Sequence, residues 1–446
     1  MPYTPHSDTE LTQMLKEIGV SSIDDLFADV PAEKRFDSRG WLPAQSEQEL
    51  LTELESLVGH NHTAKQWPSF IGGGYYRHFI PSIIDALASR GEFLTSYTPY
   101  QPEVSQGTLQ VIFEFQSLLC RLTGLDIANA SLYDGATAVA EAVNLARSVT
   151  KRNKIAVSDG LHPRYIEVLK TYAWANNFEV EVLHSIQLAA LQGDYAGVVV
   201  AQPDFWGNVH TYQKLADHIH GLGGLMIVSV NPTSLIELGA PASYGADIVV
   251  GEGQPLGIPL SMGGPAVGLF ATKKDYLRFI PGRIVGQTVD SEGKRGFVLT
   301  MQTREQHIRR EKATSNICTN QGLMALRATI YMTLLGGAGL KRVAEQCMTQ
   351  TRKLMLGLQQ IDGVRVLNQL PVFHEFTVEL PMSTKRFQAM LHERQILGGL
   401  DISQFYPERD KQMLFCCTEL SSDQDIERLL EAVQEICKKK VLEVAL

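Results

Sequence analysis

Residues 245–265, GADIVVGEGQPLGIPLSMGGP, climb through Ile248-Val249-Val250 into a turn at Gly251 and Gly253 and then present Gln254. A β-branched run that ends in glycines reads as a buried strand delivering its next residues to a site. The residue delivered is an amide, which donates and accepts hydrogen bonds but has no amine with which to form an imine. A second amide, Asn231 in VSVNPTS, closes the apolar run Leu225 to Val230. The segment SLYDGAT, Ser131 to Thr137, stands directly before a helical pattern. Its small residues and Thr137 suit an anion at a helix start, whereas Asp134 repels an anion or caps the helix itself, and the residues alone leave both readings open. The nearest lysines are Lys273 and Lys274 in ATKKDYLRF, a solvated helix start, and Lys294 in the polar, hairpin-like SEGKRG.

Two further stretches could serve a site. Residues 68–107 are rich in Gly, Pro and Tyr and show little periodicity, which marks either a functional loop or an aromatic-lined connector. Residues 303–321, TREQHIRREKATSNICTNQ, place six charges between Arg304 and Lys312, four of them basic, with only Ile308 as a large apolar side chain. No 3.6-residue stripe is present, so the segment is a polar interface lining or a solvated helix and loop.

The elements that must position these groups follow from periodicity. The first 60 residues read as short capped helices, with capping boxes at Ser7/Glu10 and Ser46/Glu49 and a stop at Gly19. Ser22 caps a further short helix through Ile23, Leu26 and Phe27, ended by Pro31. This arm has too little core to stand alone. Helices follow at Leu109 to Leu122 and Ala136 to Val149. Strands are expected at Lys154 to Val157, Phe178 to Leu183, Gly197 to Ala201, Leu225 to Val230, Asp247 to Val250 and Val267 to Ala271, with helices between several of them. That alternation implies βαβ crossovers and a mostly parallel sheet covered on both faces, with ligands at the carboxyl ends of its strands. Beyond Gly322 a long helix to about Gln360 leads into strands near Val364 to Leu367, His374 to Leu380 and Met413 to Thr418, with helices near Thr384 to Arg394 and Asp423 to Lys438. The expected domains are a helical arm (1–67), a large α/β domain (68–321) and a small α+β domain (322–446).

Composition excludes several classes. At 446 residues, 44% hydrophobic and 20% charged, the chain is globular rather than disordered. A net charge of −9 argues against nucleic acid as a principal partner. The six cysteines form no CxxC and have no neighbouring His at metal spacing, so no metal site is expected. No secretory start and no run of about 18 apolar residues is seen, which points to the cytoplasm and away from a membrane.

The layout of arm, large parallel sheet and small C-terminal domain is that of fold-type-I pyridoxal-phosphate enzymes. Their chemistry demands a Schiff-base lysine, a carboxylate on the pyridine nitrogen and a helix N-terminus for the phosphate. Gln254 stands where the lysine should be, and Asn231 where the carboxylate should be.

Longer segments carry a more specific likeness. These are IGVSSIDDLFADVP at 18–31, YTPYQPEVSQGTLQVIFEFQ at 97–116, LTGLDIANASLYDGATAVAEA at 122–142, GADIVVGEGQPLGIP at 245–259, and PGRIVGQTVDSEGKRGFVLTMQTREQHIRREKATSNICTNQ at 281–321. Along nearly its whole length the chain resembles the alpha subunit of two-subunit glycine decarboxylase, the P-protein of the glycine cleavage system. The resemblance implies two homologous chains, of which the beta chain alone holds pyridoxal phosphate, and an α2β2 assembly. It implies that glycine is decarboxylated there and the aminomethyl group passed to the lipoyl arm of the H-protein. It places Gln254 and Asn231 at the positions of the missing Lys and Asp, and it leaves this chain to wall the partner's site. The candidates for that wall are Tyr97, Tyr100 and Glu103, from a loop combining prolines, aromatic faces and a carboxylate, with Arg283, Thr319 and Gln321. The competing readings are a self-sufficient pyridoxal-phosphate decarboxylase or aminotransferase and a non-catalytic scaffold.

Overall fold

The structure, a computed structural model, describes residues 6–35, 45–96, 99–304, 306–313 and 315–445. Backbone contacts divide it into two compact units, 1–63 and 64–446. In the first unit the helix Asp8–Ile18 opens on the expected box, with the Ser7 N–H donating to Glu10 at 2.7 Å, and closes at Gly19, whose φ of +86° favours glycine. Ser46 and Glu49 open Glu47–Val58 in the same way. No described residue of this unit is buried. Ser46→Ala should lower the stability of that helix by about 1 kcal/mol, read as faster amide exchange confined to it.

The second unit is built on seven strands: β1 (Ile127–Ala128), β2 (Lys154–Ser158), β3 (Glu179–Leu183), β4 (Gly197–Gln202), β5 (Leu225–Val230), β6 (Ile248–Glu252) and β7 (Gly268–Thr272). Their order is β1-β7-β6-β5-β4-β2-β3; β2 to β6 run parallel, and β7 is antiparallel to both β6 and β1. Every residue of β4 and β5 is buried, which is why these strands read as continuous apolar runs. The pleat then sorts them. Val199, Ile227, Ile248 and Phe270 face the helix Gly135–Thr150, while Val198, Val200, Met226 and Val228 share the opposite core with residues of Gln106–Thr123 and Gly322–Gln359. The fold is therefore the α/β architecture expected, with helices on both faces.

A two-stranded hairpin, β8 (Ile284–Val289) and β9 (Arg295–Thr300), carries the SEGKRG turn. The small sheet has the order β10-β11-β13-β12, all antiparallel, from β10 (Arg365–Val366), β11 (Glu375–Glu379), β12 (Leu400–Asp401) and β13 (Gln412–Cys416). The helix Gly322–Gln359 breaks at Gly336, with φ +58° and ψ −175°. It is long and apolar enough by composition to cross a membrane, but Ala325, Leu326, Ala328, Tyr331 and Met332 are buried in the protein core. The basic stretch after β9 folds as short turns, Gln302–Arg304, Gln306–Arg309 and Arg310–Lys312, rather than as one helix, because no apolar stripe draws it onto the sheet.

Candidate functional site

The ends of β5 and β6 meet the segment 70–79 and the strand β11. Gln254 is buried, and its amide is fully engaged: Oε1 accepts from the Tyr76 N–H at 2.8 Å, and Nε2 donates to the carbonyls of Tyr76 and Ile258, each at 2.9 Å. The group delivered by the glycine turn is thus a clamp on the Tyr76 backbone. Asn231 is consumed in the same way, its Oδ1 accepting from the Thr233 N–H and hydroxyl and its Nδ2 donating to His374 Nε2 at 2.8 Å. Burial holds His374 neutral, well below the usual histidine range.

At the start of Gly135–Thr150 the two open readings resolve. Asp134 caps the helix, accepting from the Thr137 N–H at 2.7 Å, and the Glu252 carboxylate accepts from the Gly135 N–H at 3.0 Å. Two carboxyl groups of the chain itself occupy the anion position. The glycines of 72–74 bring the chain into the remaining space. A side chain at Gly72 would meet Glu375 Oε1 at 2.2 Å, and Gly73 donates to that same oxygen at 2.6 Å. His162, whose Nε2 lies 2.9 Å from the Gly73 carbonyl, is pushed down to about 4 by burial and is neutral at ordinary pH.

The cavity left among Asn231, His162, Glu252, His374 and Glu375 measures about 70 Å³, and no lysine lines it. Ligand pockets begin at ~300 Å³. With the helix N-terminus already satisfied and no amine present, these residues do not fit pyridoxal phosphate. Lys273 is paired with Asp247, while Lys274 and Lys294 are exposed. A roomier groove of about 540 Å³ is lined by Asp159, Asp204, His210, Trp206 and Arg409. Within it Asp204 lies 2.7 Å from His210, and Arg409 sits 4.4 Å above the Trp206 ring.

Burial raises the Glu252 and Glu375 carboxyls to about 7 each, from a reference of 4.5, against the hydrogen bonds that lower them. The folded chain therefore keeps these protons up to about pH 7, whereas the unfolded chain releases them near 4.5. Stability falls as pH rises through that window and levels above it. Glu375→Gln should flatten the decline, measured as melting temperature from about pH 5 to about pH 8.

A second cluster gathers three of the residues singled out from sequence. The Arg283 guanidinium lies 3.6 Å over the Tyr100 ring, and the Tyr100 hydroxyl donates to Asn320. Asn320 donates to the Ala130 carbonyl at 3.0 Å, and the Gln321 N–H to Ser131 Oγ at 3.0 Å. Ser131 is held at φ +107°, and Asn129 accepts from its N–H while donating to Pro281. These contacts join the loops before Gln106–Thr123, after β1, before β8 and before Gly322–Gln359 into one polar cluster. Glu103 and Thr319 are exposed, and Tyr97 lies outside the described residues. Asn320, from the polar run closing the 303–321 segment, and Ser131, from the SLYDGAT segment, are drawn into the same cluster although the sequence did not link them. Tyr76 and Glu375, 299 residues apart and hydrogen-bonded at 2.7 Å, gave none.

Comparison with known proteins decides the family. Residues 1–433 match the family described as "Glycine cleavage system P-protein". This chain belongs to that P-protein family. It is similar to "Probable glycine dehydrogenase (decarboxylating) subunit 1" of Desulforamulus reducens, 48% identical over 441 residues, 96% of this chain and 98% of the relative. The protein of the same name from Thermomicrobium roseum is 46% identical, covering 98% and 99%. Among solved structures, glycine decarboxylase (P-protein) of the glycine cleavage system in inhibitor-bound form has a TM-score of 0.88 and 42% identity, covering 98% of this chain and 100% of that one. A structure of C-DES with glycine covalently linked to its PLP cofactor, 16% identical with a TM-score of 0.60 and covering 83% of this chain and 97% of that one, shares the fold alone. Within the P-protein family, this chain falls with the subunit 1 enzyme subunits.

Proposed function

We propose that this chain is the half of a two-chain glycine decarboxylase that walls a site without holding its cofactor. Glycine is decarboxylated on pyridoxal phosphate bound by the homologous beta chain in an α2β2 assembly in the cytoplasm, and the aminomethyl group passes to the lipoyl arm of the H-protein. The observation that carries the reading is the small, self-satisfied pocket: Gln254, Asn231 and Glu252 spend their polar groups on the chain's own backbone and side chains. The Tyr100–Arg283–Asn320 wall is the complementary feature. There the Arg283 guanidinium is stacked on the Tyr100 ring, and hydrogen bonds of Asn129 hold the neighbouring backbone in place.

The experiment is co-expression with the homologous chain. The expected result is co-purification, with glycine-dependent carbon dioxide release and H-protein loading in the mixture only. Two chains that neither associate nor depend on one another for activity would overturn the proposal.

A further inference from the structure

Apart from that pocket, three elements of the second unit converge on a group distinct from the Tyr100–Arg283–Asn320 cluster. His78 comes from the segment after the glycine turn, Cys347 from the far half of Gly322–Gln359, and Glu419 from the loop following β13. One potential ligand atom of each lies within 4.8 Å of the other two. His78 Nδ1 is 2.8 Å from Glu419 Oε2, and the Cys347 thiol is 3.5 Å from the same oxygen. The other oxygen of Glu419 accepts from the Phe79 N–H at 2.6 Å, which fixes the carboxylate. Thr418 donates to the Arg77 carbonyl at 2.7 Å and keeps the two segments in register.

One polar group beside this cluster is unspent: the Tyr331 hydroxyl is buried with no hydrogen-bond partner. Unpaired buried polar atoms are costly and call for an explanation. The cluster also has an entry route, because Glu419 and Tyr331 line an open cavity of about 420 Å³, and Glu419 a neighbouring one of about 440 Å³.

We propose that His78, Cys347 and Glu419 form a binding site for one divalent transition-metal ion of the zinc class. Imidazole, thiolate and carboxylate together suit zinc or cobalt rather than magnesium or calcium. Tetrahedral ligands at the usual bond lengths stand about 3.3–3.7 Å apart; the Cys347–Glu419 spacing of 3.5 Å already fits, His78 and Glu419 at 2.8 Å must part slightly, and no pair is wider than 4.8 Å. The fourth position is left to water, with the Tyr331 hydroxyl available to hydrogen-bond it. On binding, Cys347 loses its thiol proton to solvent, and the Nδ1 proton of His78 moves to Nε2. The ion would tie the segment 77–79 and the long helix to the end of the small sheet. No spacing rule reveals the site, since its ligands are scattered from 78 to 419 in the chain.

The test uses the full-length chain, stripped with chelator, loaded with cobalt(II) and desalted. The expected result is about one cobalt retained per chain with a thiolate-to-cobalt charge-transfer band. His78→Gln and Cys347→Ala should each abolish the band, while Cys318→Ser, at an exposed thiol, should leave it intact. Because a core variant can misfold, X-ray absorption of the zinc-loaded wild type provides a second reading, with a single sulfur expected beside nitrogen and oxygen ligands. No retained ion, a band that survives Cys347→Ala, or a zinc shell without sulfur would overturn the assignment.

Discussion

Gln254→Lys is expected to destabilise the chain by about 3 kcal/mol and to bind no cofactor. The amide at this position makes three hydrogen bonds inside the fold, two of them to the Tyr76 backbone. Lysine keeps donors but loses the acceptor, so the Tyr76 N–H is left buried and unpaired, and an ammonium is placed where the surroundings were built for a neutral group. Adding Asn231→Asp makes matters worse, because the Nδ2 donor to the neutral His374 is lost and a second charge is buried. Equilibrium denaturation of the single and double variants, with pyridoxal phosphate titration, checks this. A stable double variant that bound the cofactor would mean the pocket had kept its shape and lacked only its amine.

The second large effect is at the wall. Arg283→Ala in the assembled two-chain enzyme is expected to lower turnover at least tenfold, a cost of about 1.4 kcal/mol or more at the transition state, with little change in melting temperature. The guanidinium is half-buried and stacked on Tyr100, so its loss frees that ring and loosens its bond to Asn320. Arg283→Lys should recover little, since a flexible ammonium cannot stack as a planar fork does. Turnover within twofold of wild type for Arg283→Ala would remove this cluster from the working site.

Much of the fold was legible because its signals are local. The buried runs at 197–202 and 225–230 and the capping boxes at Ser7 and Ser46 depend on neighbours in sequence, and β2 to β7 fall within a residue or two of expectation. The two-residue strands β1 and β12 were missed, because they are too short to show a period and exist only as partners of β7 and β13. The long helical region expected from Gly322 to about Gln360 is found at Gly322–Gln359, with its break at Gly336.

The site was legible by residue type but not by arrangement. Gln254 and Asn231 stood out as amides where charge was needed. That they are clamps for Tyr76 and His374 could only emerge once strands far apart in sequence were brought together. The SLYDGAT ambiguity had the same origin, since Glu252, which completes the helix start, lies 117 residues beyond Gly135.

The most direct test of the central claim is a visible absorption spectrum of the purified chain with pyridoxal phosphate, before and after borohydride, beside that of its mixture with the homologous chain. No reducible lysine-bound band and no carbon dioxide release are expected from this chain alone, with both appearing in the mixture. A reducible band and glycine decarboxylation by this chain alone would contradict the claim.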